Sequence, residues 1–284
     1  MAVVRVIVLS DTHGQHRNVS VPNGDLLIHC GDWTKSSSKP EVEAYQDFAS
    51  WLANLPHPQK VVVSGNKEIY MDTESCVKHR GKSLEEIEAV QQLLYCEGVT
   101  YLCDSGFLYE KSDVHLKLWG APWTKRNGKA GKAFQVEVGQ MKENWEKVTV
   151  TCSCSFNVFV LMQIPSDTDI LVTHSPALGR LDKTEKGEAA GCPHLRDTIQ
   201  RIRYHIFFLG WGVNPCPNFL DLCSTNSTPT DLKSDVFWTT SKSATMFGQL
   251  YCRLTPNPRP PYAIHLVNYN AIQIRPRSLD RTAR

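Results

Sequence analysis

Four short clusters in this chain combine residue types that bind divalent cations: Asp11-Thr12-His13-Gly14, Gly31-Asp32, Gly65-Asn66-Lys67-Glu68 and Thr173-His174-Ser175-Pro176. Carboxylate, imidazole and amide oxygen are the donors that divalent Mn, Fe or Zn accept. Taken singly, each cluster has an ordinary reading. Asp-x-His is commonly a capped turn, Gly-Asn after a strand is commonly a tight turn, and a histidine at a strand end is commonly a hydrogen-bonded structural group. Their shared context makes the difference. Each follows an apolar β-type run, and in a parallel sheet the strand C-termini lie along one edge, where ligands bind. Glycine beside them lets the backbone turn sharply next to an ion. Order and context together predict one metal-binding edge carrying Asp11, His13, Asp32, Asn66 and His174.

The elements that must position these groups follow from periodicity. Residues 3–9, 25–29, 60–64 and 170–174 are short β-branched or apolar runs suited to strands buried on both faces, and strand-like runs also stand near 99–102, 115–119 and 204–208. Tyr45, Phe48, Leu52 and Leu55 recur at helical spacing, with Pro40 at a helix-starting position. Ser83 with Glu86 three residues on is a capping-box pattern that opens a helix over 83–94. Residues 131–145 read as helical or mixed, and 195–202 as helical. Strands alternating with helices give a layered α/β fold. Residues 214–235, rich in Pro, Asn, Ser and Thr, read as a long loop, and 271–284 as a polar tail whose basic stretch 275–284 is frayed.

The chain has 284 residues, 41% hydrophobic, with 31 basic and 29 acidic side chains for a net charge of +2. That size suits one large α/β domain. The charge balance offers no electrostatic case for a nucleic-acid or anionic-membrane partner, so an anionic substrate has to be handled locally. No run approaches the roughly 20 apolar residues of a membrane span, and no secretory signal is visible. The ten cysteines lack paired CxxC spacing and read as reduced thiols in a cytoplasmic protein. Cys152-Ser153-Cys154, the one close pair, lacks two further ligands at zinc-site spacing.

The residues that carry a family resemblance are Leu9 through Gly14, Asp25 through Asp32, Val61 through Asn66, Leu118-Trp119-Gly120-Ala121-Pro122-Trp123, Ile164 through His174 and Arg203 through Phe207. Together they resemble the calcineurin-like metallophosphoesterase superfamily, in particular its animal metallophosphoesterase-domain-containing subfamily. The likeness covers roughly residues 3–147 and 164–207. It implies a four-layer α/β/β/α sandwich of two packed mixed sheets flanked by helices, in a single domain over 3–270. The resemblance further implies two divalent metal ions (Mn, Fe, Zn or Mg). Asp11 and His13 would ligate the first, Asn66 and His174 the second, and Asp32 would bridge both. The implied reaction is phosphodiester hydrolysis, cyclic nucleotides included, by a hydroxide held on the metals, with Asp32, Asn66 and the residue after Asn66 as the catalytic set.

Two departures from the family pattern stand out. Lys67 occupies the position where the family carries a histidine after Gly-Asn. An ammonium offers charge to a phosphate but is a poor proton donor near neutral pH. After Phe207 the family continues Gly-His-x-His-Glu-Gly, whereas this chain reads Phe208-Leu209-Gly210-Trp211-Gly212-Val213, opening a divergent loop over 208–240. His205 lies upstream in a strand position and reads as structural. Each ion is left with three protein ligands, a number that catalytic zinc sites also use. Residues 148–163 have no family counterpart. They begin with a GT-initial codon and end with Gln, which CAG encodes, so a retained intron, a gene-model error and a genuine surface insertion are the readings of this stretch. Two functional readings follow: a phosphoesterase of reduced activity on a small phosphodiester or nucleotide, or a catalytically impaired relative that binds a nucleotide or a protein.

Overall fold

Valines 4, 6 and 8 of the first strand are buried in one apolar cluster, while Ile7 and Leu9 are buried in another. A strand buried on both faces belongs in the middle of a layered structure. The computed structural model describes residues 3–35, 42–126, 131–146, 149–151, 159–161, 164–179, 182, 187–201, 206–209, 249–252, 262–268 and 271–276. In chain order the elements are β1 (Val4–Leu9), β2 (Leu26–His29), α1 (Val42–Ala53), β3 (Gln59–Val63), α2 (Thr73–Arg80), α3 (Leu84–Gln91), β4 (Val99–Leu102), β5 (Ser105–Lys111), β6 (Val114–Ala121), β7 (Thr124–Lys125), β8 (Gln135–Val136) and α4 (Val138–Glu146). They continue with β9 (Thr149–Thr151), β10 (Phe159–Leu161), β11 (Ile170–Thr173), α5 (Pro193–Arg201), β12 (Ile206–Leu209), β13 (Gln249–Cys252), β14 (Tyr262–Asn268) and β15 (Ala271–Pro276).

Two sheets carry the site. The first runs β14-β15-β1-β2-β3-β4 and the second β13-β12-β11-β6-β5. Strands β1 through β4 are parallel in sequence, with Leu9 level with His29 and His29 level with Val62. In the second sheet β11 lies parallel between β6 and β12. Val4, Val6, Val8, Leu26, Ile28, Val61 and Val63 from the first sheet share one buried cluster with Leu116, Leu118, Ile170 and Val172 from the second, so the sheets pack face to face. The outer face of the first sheet meets α1 and α3 through Ile7, Leu27, Val62, Phe48, Leu52, Ile87 and Val90. The outer face of the second meets α4 and α5 through Trp119, Leu171, Met141, Trp145, Leu195 and Ile199. This is the expected α/β/β/α sandwich. The parallel ladders bring the ends of β1, β2 and β3 to one edge, and β11 of the facing sheet delivers His174 to the same place.

Local chemistry explains several boundaries. The capping box at α3 is present in both directions: Glu86 N–H donates to Ser83 Oγ at 3.2 Å, and Ser83 N–H donates to Glu86 Oε2 at 3.0 Å. Helix α2 went unread because its sequence has no apolar stripe, with Cys76 its one buried residue. Its signals are its caps. Asp72 accepts from Ser75 N at 3.0 Å, and Gly81, at φ +62°, donates to Val77 O. Strand β5 was also missed, although Phe107 and Tyr109 alternate with more exposed neighbours.

A correction applies to the tail expected over 271–284. Residues 271–276 form β15, inserted between β14 and β1 with Ile274 opposite Val4 and Ala271 opposite Ile7. Isoleucines 272 and 274 alternate with Gln273 and Arg275, a period-2 pattern hidden by the polar composition. In the stretch without family counterpart, β9 and β10 pair with each other as an antiparallel ribbon and, among the described residues, with no other strand. Residues 210–248, His205 and 277–284 lie outside the described residues, and with them the expected long loop and the rest of the tail.

Candidate metal centre

Asp11, His13 and Asp32 all adopt positive φ, at 52°, 45° and 52°, a conformation rare for residues with a side chain. Cross-loop backbone bonds hold them there. Asp11 N–H donates to Gly31 O at 2.9 Å, His13 N–H to Asp32 O at 3.0 Å and Gly14 N–H to Trp33 O at 2.9 Å. Local strain of this kind persists only where the surroundings enforce it, and it gathers at functional sites. Its result here is convergence: one donor atom from each of Asp11, His13 and Asp32 lies within 4.8 Å of the others.

His174 approaches the Asp32 carboxylate, and Asn66 in turn lies against His174. His174 Nε2 is 3.4 Å from Asp32 Oδ1 and 3.4 Å from Asn66 Nδ2. Its Nδ1 is 3.0 Å from the carbonyl of Cys30 and donates there, which leaves Nε2 facing Asp32. Gly31 and Gly65 make the approach possible. A Cβ on Gly31 would lie 2.7 Å from His174 Nδ1, and one on Gly65 would lie 2.7 Å from His174 Cε1 and collide with Asp32 Oδ1. All five ligand candidates from the sequence are thus brought together. Lys67 joins them through its backbone, whose N–H donates to Asp32 Oδ1 at 3.0 Å, while its side chain is half-buried beside the cluster.

The electrostatics suit a cation. Asp11, Asp32, Asn66 and His174 are buried, while His13 is a third exposed. Burial pushes the Asp11 carboxyl up and the neighbouring Asp32 adds to this, against the pull of His174 and the 2.5 Å bond from Ser10 Oγ. Burial acts to lower His174, but the charges of Asp32, Asp11 and Glu68 outweigh it and hold the imidazole above its ordinary value. Asn66 Oδ1 is a buried acceptor with no hydrogen-bond donor. Such an orphan is rare in native structures and suits an ion or water as its partner. A buried amide oxygen without a partner, two crowded carboxylates and an imidazole lone pair form a donor set that fits divalent ions.

Sequence reasoning gave Glu68 and His29 no role. Glu68 is fully buried and accepts from Asp32 N, Thr34 N, Thr34 Oγ1 and Gly65 N. Burial, then the charge of Asp32, pushes its carboxyl up to about 7 against the N–H bonds from Thr34 and Gly65. His29 sits behind the first ligand loop, with Nε2 3.2 Å from Thr12 Oγ1 and Nδ1 accepting from Gly31 N at 3.3 Å. Burial holds it at about 3, so it is a neutral bracket. The one signal available was position, since both lie within a motif or at a strand end.

The model of the calcineurin-like phosphoesterase family matches residues 4–210. The chain therefore belongs to that family, whose members are metal-dependent phosphoester hydrolases using divalent ions. It is similar to metallophosphoesterase domain-containing protein 1 of Homo sapiens, 30% identical over 223 residues that cover 74% of this chain and 62% of that protein. It is also similar to two UPF0046 proteins of Caenorhabditis elegans. One is 31% identical over 206 residues covering 72% of this chain and 62% of its own length, the other 32% identical over 218 residues covering 72% and 67%. The chain thus spans little more than three fifths of the human relative and of the first nematode one. No helix among the described residues is long and apolar enough to cross a membrane.

Proposed function

We propose that this chain is a phosphodiesterase of reduced activity, with small phosphodiesters, cyclic nucleotides among them, as substrates and two divalent ions (Mn, Fe, Zn or Mg) as cofactors. The orphaned Asn66 Oδ1 carries the reading: it belongs to a side chain whose Nδ2 lies 3.4 Å from His174 Nε2, itself 3.4 Å from Asp32 Oδ1, which supports a second ion position next to the Asp11, His13 and Asp32 group. Asp11 and His13 would hold one ion, Asn66 and His174 the other, and Asp32 both. Bound there, the ions would polarise the phosphate and supply the attacking oxygen at neutral pH.

The protein's own residues do the rest. Asp32 offsets the repulsion between two cations, and the Cys30 carbonyl keeps the His174 proton on Nδ1 so that Nε2 stays free to ligate. Lys67 is the feature behind the reduced rate: it draws the phosphate by charge but transfers a proton poorly near neutral pH. The same ammonium favours a second reading, in which the site binds a nucleotide without turning it over.

Cys30, Cys76, Cys96, Cys103 and Cys192 are free thiols, which supports a cytoplasmic location. Nothing about the charge balance calls for a nucleic-acid or membrane partner.

The test is hydrolysis of bis(p-nitrophenyl) phosphate and of 2′,3′- and 3′,5′-cyclic AMP with added Mn, beside Asp11→Asn. Slow, Mn-dependent turnover that Asp11→Asn abolishes is expected. Tight nucleotide binding with no turnover of any diester would favour the second reading, and a rate unchanged in Asp11→Asn would contradict the first.

A further inference from the structure

Glu68 has no part in the reaction proposed above, yet it ties together the two loops that carry Asp32 and Asn66. Its Oε2 accepts from Asp32 N at 3.0 Å and from Gly65 N at 2.7 Å. Its Oε1 accepts from Thr34 N at 2.8 Å and from Thr34 Oγ1 at 2.9 Å. One oxygen is thus shared between the loop after β2 and the loop after β3, while the other anchors the residue two past Asp32. The carboxylate is fully buried. Removing a carboxylate from water is costly unless charge-assisted hydrogen bonds replace the water, and all four of these contacts are donors.

The bond to Gly65 N closes the four-residue turn Gly65-Asn66-Lys67-Glu68. That closure directs the two residues inside the turn toward the site. Lys67 N–H reaches Asp32 Oδ1 at 3.0 Å, and Asn66 Nδ2 stands 3.4 Å from His174 Nε2. Gly65 must stay bare for Asp32 and His174 to pack against it, so the first residue of the turn has no side chain to fix its place. Glu68 supplies the missing anchor. An amide could not do the same, because its NH2 would face N–H donors.

We propose that Glu68 is a positioning residue: its carboxylate sets the spacing between Asp32 and Asn66 and so preforms the metal centre. This deepens the metal-centre reading and rests on it. A residue that merely stabilised the fold would lower the melting temperature and leave ion binding by the folded fraction unchanged. A positioning residue changes the ion site while the sheets stay intact.

Two measurements on wild type, Glu68→Gln and Thr34→Val decide the matter: amide hydrogen exchange on the metal-free protein, and Co(II) titration followed by ligand-field absorption. In Glu68→Gln, exchange at Asp32, Thr34 and Gly65 is expected to rise at least about tenfold while Val61–Val63 stay protected, and Co(II) affinity is expected to fall about 10- to 100-fold with an altered spectrum. Thr34→Val, which removes one bond to Oε1, should shift both readouts the same way by a few-fold. Unchanged exchange at the three amides, or wild-type Co(II) affinity and spectrum, overturns the proposal. If Glu68→Gln does not fold, Thr34→Val decides alone, and wild-type behaviour in both readouts overturns it. Failure of the wild type to take up Co(II) overturns the metal-centre reading instead, and the exchange data then judge separately whether Glu68 holds the two loops.

Discussion

Lys67 stands where the family resemblance implies a histidine, and it is the smaller of the two departures from that pattern. Its backbone N–H is fixed on Asp32 Oδ1, so a histidine introduced there would start from the same anchored position. Lys67→His is expected to restore a proton donor. General acid help is worth roughly 100- to 10,000-fold, and it matters for alkoxide leaving groups far more than for nitrophenolate. Comparing kcat/KM for an alkyl and an aryl phosphodiester checks this: an equal gain on both, or none, contradicts proton donation. A second residue-scale expectation concerns Asp104, at φ +45°, which accepts from Trp123 Nε1 at 2.7 Å. Burial pushes its carboxyl up to about 7, against that bond. The unfolded chain ionises first, near 3.8, so the folded state loses stability as pH rises from there to about 7. Asp104→Asn keeps an acceptor for Trp123 and tolerates positive φ. It should add a few kcal/mol of stability at most at pH 8, seen as a higher melting temperature, and give little gain at pH 4. Thermal melts at both pH values check the sign. The ligand candidates were legible because each closes an apolar run. Glu68 was not, because its partners are backbone N–H groups of residues 32, 34 and 65, which no local pattern in the sequence discloses.

At the scale of elements, the same contrast recurs. β1, β2, β3 and β11 were readable from β-branched runs buried on both faces, and α3 from its capping box. Helix α2 has no apolar stripe to read, and β15 looked like a tail because its alternation is short and bordered by basic residues. Residues 148–163 raise the sharpest element-level expectation. Trp145 and Ile164, on either side, are both buried in the same cluster against the second sheet, while among the described residues β9 and β10 pair only with each other. The chain can therefore be closed across this stretch without opening that cluster. A variant with 148–163 replaced by a short Gly-Ser link should fold with an unchanged far-UV spectrum and gain solubility, since the segment is strongly apolar. Loss of folding on deletion would make the ribbon an integral element, and transcripts lacking these codons would mark it as a retained intron.

At the scale of the whole molecule, two face-packed sheets act as a rigid frame for a candidate centre whose residues come from both. Asp11, His13, Asp32 and Asn66 follow strands of the first sheet, and His174 follows β11 of the second. Asp11, His13 and His174 each come close to Asp32, and Asn66 lies against His174. An ion held by residues of both sheets would stabilise the folded state by mass action. The most direct test of the central claim is the metal content of the folded chain. Wild type and Asp32→Asn would be loaded with Mn or Zn, freed of loose ions by gel filtration, and assayed for metal per chain by mass spectrometry. The account predicts at least one ion per wild-type chain and loss of most of it in Asp32→Asn, with the fold retained. Equal metal content in the two proteins, or none in the wild type, would contradict it.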